Sequence, residues 1–126
     1  MHLIIGEKSQ GKLRYAMEKY GFSEKDVWDA SIHAAEFWDE QKLIYHAEEL
    51  VRQWVYAGAD ALEAASHIIP LWKDSVIITQ EIQSFSPETE KERQWREAVI
   101  QVNALLMTYA DTVERVRNGV ATNLKG

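Results

Sequence analysis

The chain contains no cysteine, which excludes disulfides, thiolate metal sites and a cysteine nucleophile. No two histidines have HExxH spacing, so no zinc site is expected. No apolar stretch approaches the ~20 residues needed to span a bilayer, and no membrane partner is expected. The N-terminus also lacks the basic and long apolar regions of a secretion signal, because Gly6, Glu7 and Lys8 interrupt it. Cytoplasmic residence is therefore the expectation. Basic residues are in deficit, 14 against 20 acidic ones, for a net charge of −6. That balance argues against a nucleic-acid partner, since non-specific affinity needs a basic surface that releases counterions. The acids are spread over expected helices, as on a solvated surface.

What is present suits one compact domain over residues 1–126, with 46% hydrophobic residues against 27% charged. Its most informative segment lies near the start. The apolar run His2-Leu3-Ile4-Ile5 breaks into Gly6-Glu7-Lys8-Ser9-Gln10-Gly11-Lys12-Leu13, a G-x-x-x-x-G-K phosphate-loop pattern without its final hydroxyl residue. Glycines let such a loop turn its N–H groups inward, and Lys12 is expected to reach the β/γ-phosphates at the positive end of the following helix. Lys8 and Lys12, with Arg14 beside them, supply the local positive charge that an acidic nucleotide binder needs. Leu13 stands where a Ser or Thr would ligate Mg²⁺. The competing reading is an ordinary strand-to-helix turn whose glycines only serve geometry.

The surrounding pattern favours the phosphate loop, because strand, glycine loop and helix follow in the required order. Leu13, Ala16/Met17 and Tyr20 repeat at helical spacing and Gly21 closes the helix. Residues 26–29 read as a short strand, and 30–39 carry no assignable pattern. Leu43, Ala47, Leu50/Val51 and Trp54/Val55 predict a helix from about residue 39 to Gly58. Asp60 and Glu63 form a capping-box pattern for a helix through Leu62, Ala65 and Ile69 that should end at Pro70. Ser75-Val76-Ile77-Ile78-Thr79 predicts a strand buried on both faces. Ser86 as N-cap and Pro87 at the first helical position are expected to open the longest helix, whose stripe is Trp95, Val99, Val102, Leu106 and Tyr109. Residues 112–116 read as a strand, with a tail from Gly119. Strands separated by helices imply an α/β fold: three layers, a mostly parallel sheet flanked by helices, of the P-loop nucleotide-binding type.

Ligands of such sheets sit beyond the carboxyl ends of the strands. Glu81 follows the buried strand there, where a carboxylate could organise Mg²⁺ directly or through water. The competing reading is a solvated loop glutamate. His46 flanks the Leu43/Ala47/Leu50 stripe, and by its residues alone it reads as a helix-surface histidine.

Taken together, these segments resemble the adenosylcobinamide kinase / adenosylcobinamide-phosphate guanylyltransferase family of cobalamin biosynthesis. The resemblance rests on Leu3-Ile4-Ile5-Gly6 with Gln10-Gly11-Lys12, and on Val76 to Glu81. It extends through Glu92-Arg93-Gln94-Trp95-Arg96-Glu97, Val102-Asn103-Ala104-Leu105-Leu106, Ala110-Asp111-Thr112-Val113 and the Gly119…Asn123-Leu124-Lys125 ending. It covers about half of the chain, at both ends, and matches poorly over about 26–74. The resemblance implies ATP or GTP bound by Gly6, Lys8, Ser9, Gln10, Gly11, Lys12 and Leu13, with Mg²⁺ at Glu81. It implies His46, in Lys42-Leu43-Ile44-Tyr45-His46, as guanylyl acceptor, with Glu81 as its catalytic companion. The implied activity is kinase and/or nucleotidyltransferase action on a corrinoid small molecule. Ala47 replaces the arginine that usually follows the histidine, Gln80 replaces an acidic or amide residue, and residues 82–87 lack the family's turn glycines. The alternative from another class is a catalytically degenerate relative that binds nucleotide or corrinoid without turnover. Assembly into a homo-oligomer is compatible with either.

Overall fold

The computed structural model describes residues 1–82 and 89–126. In chain order its elements are β1 (His2–Gly6), α1 (Lys12–Tyr20), β2 (Val27–Asp29), β3 (Leu43–Tyr45), α2 (Ala47–Tyr56), α3 (Ala61–Ile68), β4 (Val76–Gln80), α4 (Glu90–Tyr109), β5 (Thr112–Arg117) and β6 (Val120–Lys125). Short 3₁₀ turns occupy Glu24–Asp26, Ala35–Phe37 and Ile69–Trp72. The strands form one six-stranded sheet in the order β2-β3-β4-β1-β5-β6. All pairings are parallel except β5 with β6. This is the expected α/β architecture, a mostly parallel sheet flanked by helices. No helix among the described residues is long and apolar enough to cross a membrane.

Alternation along the strands divides the core between two faces. Ile4, Leu43, Val76, Ile78 and Val116 pack with Ala16 of α1, and Leu13 and Met17 close this side. Leu3, Ile5, Ile44, Ile77 and Val113 face the other way, against Leu50 and Val51 of α2, Ala65 of α3, and Trp95, Val99, Val102 and Leu106 of α4. The β-branched run of β4 is thus buried on both faces, as expected for a central parallel strand. Caps fix several helix ends. Gly21 takes a left-handed conformation after α1, and Asp60 accepts a hydrogen bond from the Glu63 backbone N–H at the start of α3.

Three expectations are corrected. The helix expected from about residue 39 begins only at Ala47, because residues 43–45 are strand β3. Leu43 and Ile44 are both fully buried but on opposite sheet faces. The spacing of Leu43, Ala47 and Leu50 joins a strand to a helix and is not one helical stripe. The tail after Gly119 is strand β6, joined to β5 through Asn118 and Gly119, both at positive φ (52° and 75°). That pair of conformations suits the two-residue turn of a hairpin. Tyr109, expected in the buried stripe of α4, is half exposed at its last turn. The caps expected at Ser86 and Pro87 lie outside the described residues; within them, Thr89 caps α4 by accepting from the Glu92 backbone N–H.

Gly6 ends β1 where β5 passes closely. A Cβ placed there would lie 2.5 Å from the Val116 carbonyl oxygen. Backbone must shift to admit it, at a cost of about 1–3 kcal/mol. Gly6→Ala should therefore lower the urea midpoint by a corresponding amount, and an unchanged midpoint would show that β5 yields freely.

Candidate functional site

At the carboxyl edge of the sheet, β1 passes into a loop that closes as α1 begins. Ser9 and Gly11 hold left-handed conformations within it (φ 62° and 84°). Lys12, the first residue of α1, is buried, and its ammonium group is folded back on the loop. Nζ donates to the Gly6 carbonyl at 3.1 Å and to that of Glu7. Burial lowers the Lys12 pKa, against the attraction of Glu48, Glu81 and Glu7. Gln10 turns towards the β5–β6 hairpin. Its side-chain oxygen accepts from the Asn118 N–H and its carbonyl from the Gly119 N–H, both at 2.8 Å. The hairpin thereby braces the loop from outside.

Two strands away, His46 occupies the single residue between β3 and α2. It is the N-cap of α2 and adopts φ 60°, ψ 46°, a left-handed conformation that costs a non-glycine residue roughly 1–3 kcal/mol. The residue expected on a helix face instead stands at a strained strand-to-helix corner. Its ring is held on two sides. Tyr45 stacks against it with centroids 3.6 Å apart. Asp29 Oδ1 lies 2.8 Å from Nδ1. The parallel register pairs Asp29 with Tyr45, which puts the carboxylate beside the residue that follows Tyr45. The same Oδ1 accepts from the Ser31 N–H at 2.9 Å and the Ser31 hydroxyl at 2.7 Å. Burial raises the Asp29 pKa, but the hydrogen bonds from Ser31 and His46 outweigh it and leave the carboxyl below its ordinary value.

The loop and the histidine meet. Lys8, Ser9, Lys12, Tyr45, His46, Glu48, Ile78 and Gln80 line one cleft of ≈ 150 Å³. Glu48, in the first turn of α2, is almost fully buried at its side. One of its carboxylate oxygens accepts from the Gln80 backbone N–H at 3.0 Å, and its carbonyl accepts from the Trp95 indole N–H at 2.9 Å. Burial pushes the Glu48 carboxyl above its ordinary value, more strongly than the nearby His46 lowers it.

Of the other expected site residues, Leu13 packs with the apolar cluster beneath α1 and is not among the residues that line the cleft. Glu81 continues the pairing of β4 with β1, its N–H donating to the Gly6 carbonyl at 2.8 Å. Both its carboxylate oxygens accept from Arg115, at 2.7 and 2.9 Å. A carboxylate engaged at both oxygens by a guanidinium is poorly placed to organise a cation. No group of three or more His, Asp or Glu among the described residues could hold a metal ion. Asp29, Glu48 and Arg115 were not expected at the site. The short β2 pattern was the only signal for Asp29, and nothing local marked Glu48. No protein-family model matches the chain, and no curated protein is significantly similar to it.

The raised Glu48 pKa has a stability consequence of definite sign. The folded state holds this proton more tightly than the unfolded chain, whose carboxyl titrates near 4.5. Its contribution is fully present below that value and is lost as pH rises through the folded pKa. Glu48→Gln keeps an acceptor for the Gln80 N–H and removes the titration. The stability difference, variant minus wild type, should therefore be larger at pH 7 than at pH 4 in urea unfolding. An equal difference at both would show that the buried carboxyl ionises without cost.

Proposed function

We propose that the protein binds a purine nucleoside triphosphate at the loop of residues 6–13 and transfers its nucleotidyl group through His46. This is the reaction class implied by its resemblance to the adenosylcobinamide kinase / adenosylcobinamide-phosphate guanylyltransferase family. One observation carries the proposal: the lysine-bearing loop and a strained, carboxylate-tethered histidine line the same cleft. The first turns of α1 and α2 both begin at this edge, and their positive ends favour phosphate. A cleft of ≈ 150 Å³ takes phosphates and not a whole nucleoside, so the base lies beyond its rim. In the reaction an imidazole nitrogen attacks the α-phosphorus, the bond to the β-phosphate bridging oxygen breaks, and pyrophosphate leaves with that electron pair. The phosphoramidate then passes its nucleotidyl group to a hydroxyl-bearing or phosphorylated corrinoid acceptor. Such chemistry belongs in the cytoplasm, where nucleoside triphosphates are abundant.

No step is assigned to a protein-held Mg²⁺. Leu13 offers no oxygen and Glu81 is engaged by Arg115. Mg²⁺ would arrive on the nucleotide's own phosphates, with water filling its remaining positions. The second reading, a relative that binds without turnover, is favoured by one feature. The Lys12 ammonium is already satisfied by the carbonyls of its own loop.

Incubation with α-labelled GTP or ATP separates the two. The catalytic reading expects acid-labile label on the wild type and none on His46→Ala, which should still bind nucleotide by calorimetry. Lys12→Ala should weaken nucleotide binding by about 1.5–3 kcal/mol, roughly 10- to 150-fold in Kd. Binding without label would leave the non-catalytic relative. No binding of either nucleotide at millimolar concentration would sink both.

A further inference from the structure

We propose that Asp29 is the positioning residue that fixes the His46 ring as its Nδ1–H tautomer, making Nε2 the nitrogen that accepts the nucleotidyl group. The inference rests on the reading of His46 as acceptor and extends it to a second residue and to a particular atom.

Asp29 Oδ1 is surrounded by donors, the Ser31 N–H, the Ser31 hydroxyl and His46 Nδ1. A carboxylate so placed can only accept, so the hydrogen between it and His46 belongs to Nδ1. In the neutral ring Nε2 is then bare and carries the lone pair. Nε2 has no hydrogen-bond partner among the described residues. Asp29 is not among the residues that line the cleft, whereas His46 is. The tethered nitrogen is engaged by Asp29, and the other is the ring nitrogen left for a bound ligand.

The stacked Tyr45 ring and the backbone corner make this tether effective. The ring centroid of Tyr45 lies 3.6 Å from that of His46, which restricts rotation about the side-chain torsions. A strained residue between strand and helix is a device that lifts a nucleophile above a sheet edge, and His46 sits in that position. Attack by Nε2 forms the Nε2–P bond and breaks the P–O bond to pyrophosphate. No proton leaves the ring during this step: Nδ1 keeps its hydrogen and the product ring is cationic. The Asp29 carboxylate faces that developing charge and stabilises it, as a carboxylate does for an imidazolium in other histidine pairs.

Two measurements test the proposal, and they separate it from the acceptor reading. Nitrogen-15 NMR of the wild-type protein should show His46 protonated at Nδ1 when neutral, with no nucleotide needed. Asp29→Asn keeps an oxygen for Ser31 but offers an amide that can donate to Nδ1, so the Nε2–H tautomer should gain population. On α-labelled GTP the wild type should carry its label on Nε2, identified by the phosphorus–nitrogen couplings of the adduct. Asp29→Asn should label about 100-fold more slowly or worse, while binding nucleotide as the wild type does and giving an unchanged far-ultraviolet dichroism spectrum. A purely structural Asp29 would not move the tautomer at constant fold. Label on Nδ1, a neutral Nε2–H ring in the wild type, or wild-type labelling rates in Asp29→Asn would each overturn the proposal. A wild type with the Nδ1–H tautomer but no label would overturn the acceptor reading and the transfer role with it, while leaving Asp29 established as the group that orients the ring.

Discussion

The site depends on one constraint, the double parallel pairing of β1. This strand is hydrogen-bonded to β4 on one side and β5 on the other, and Leu3, Ile4 and Ile5 are almost fully buried. Parallel strands cannot be joined by tight hairpins, so each carboxyl end must hand the chain to a loop above the same edge. β3, β4 and β1 are consecutive neighbours in the sheet. Their exits, His46, Gln80 and the loop after Gly6, therefore converge whatever their distance along the chain. Gly6 is the position where this economy is tightest, because the Val116 carbonyl leaves no room for a side chain.

An acidic protein must solve an electrostatic problem to accept phosphate at such an edge. Asp29, Glu48 and Glu81 all lie near the cleft, and each is accommodated in a different way. Asp29 accepts hydrogen bonds from His46 and Ser31, Glu81 is gripped by Arg115, and burial raises the pKa of the Glu48 carboxyl above its ordinary value. The positive side is carried by Lys8, Lys12 and two helix N-termini. Unpaired charges this close would interact by about 4 kcal/mol at 4 Å in a medium of effective dielectric 20. Pairing with Arg115 removes the Glu81 charge from the edge where the proposed anion would sit.

The α/β class, the order of strand, loop and helix at the start, and β4 were legible because their signals are local and strong. Glycine spacing after an apolar run and a continuous β-branched segment need no tertiary information. The position of His46 was not legible in this way. Leu43, Ala47 and Leu50 mimic a helix because β3 is only three residues long and joins α2 through one residue. Too few residues lie in the strand to display its period of two. β6 was missed for another reason, since Asn118-Gly119 is a strong hairpin signal that a glycine at the start of a tail obscured. Asp29 and Glu48 could not be found locally. One is defined by its register against Tyr45 and the other by the N–H of Gln80, both of which are properties of the assembled sheet.

The apparent obstacle to ligand binding, a lysine already bonded to its own loop, is smaller than it looks. The Gly6 carbonyl accepts from Lys12 Nζ, but it also accepts from the Glu81 N–H at 2.8 Å. A carbonyl has two lone pairs, and one good donor spares it most of the penalty of burial. On the proposed reading, Lys12 can therefore leave Gly6 for a phosphate without orphaning the end of β1. The ammonium in turn leaves a buried position that disfavours its charge. Its bonds to the carbonyls are already charge-assisted, and exchange for an anionic oxygen adds the attraction of opposite charges. On the proposed nucleotide-binding reading, the folded-back lysine is a resting arrangement that a polyphosphate would displace, and the pairing of Glu81 with β1 lowers the cost of that displacement.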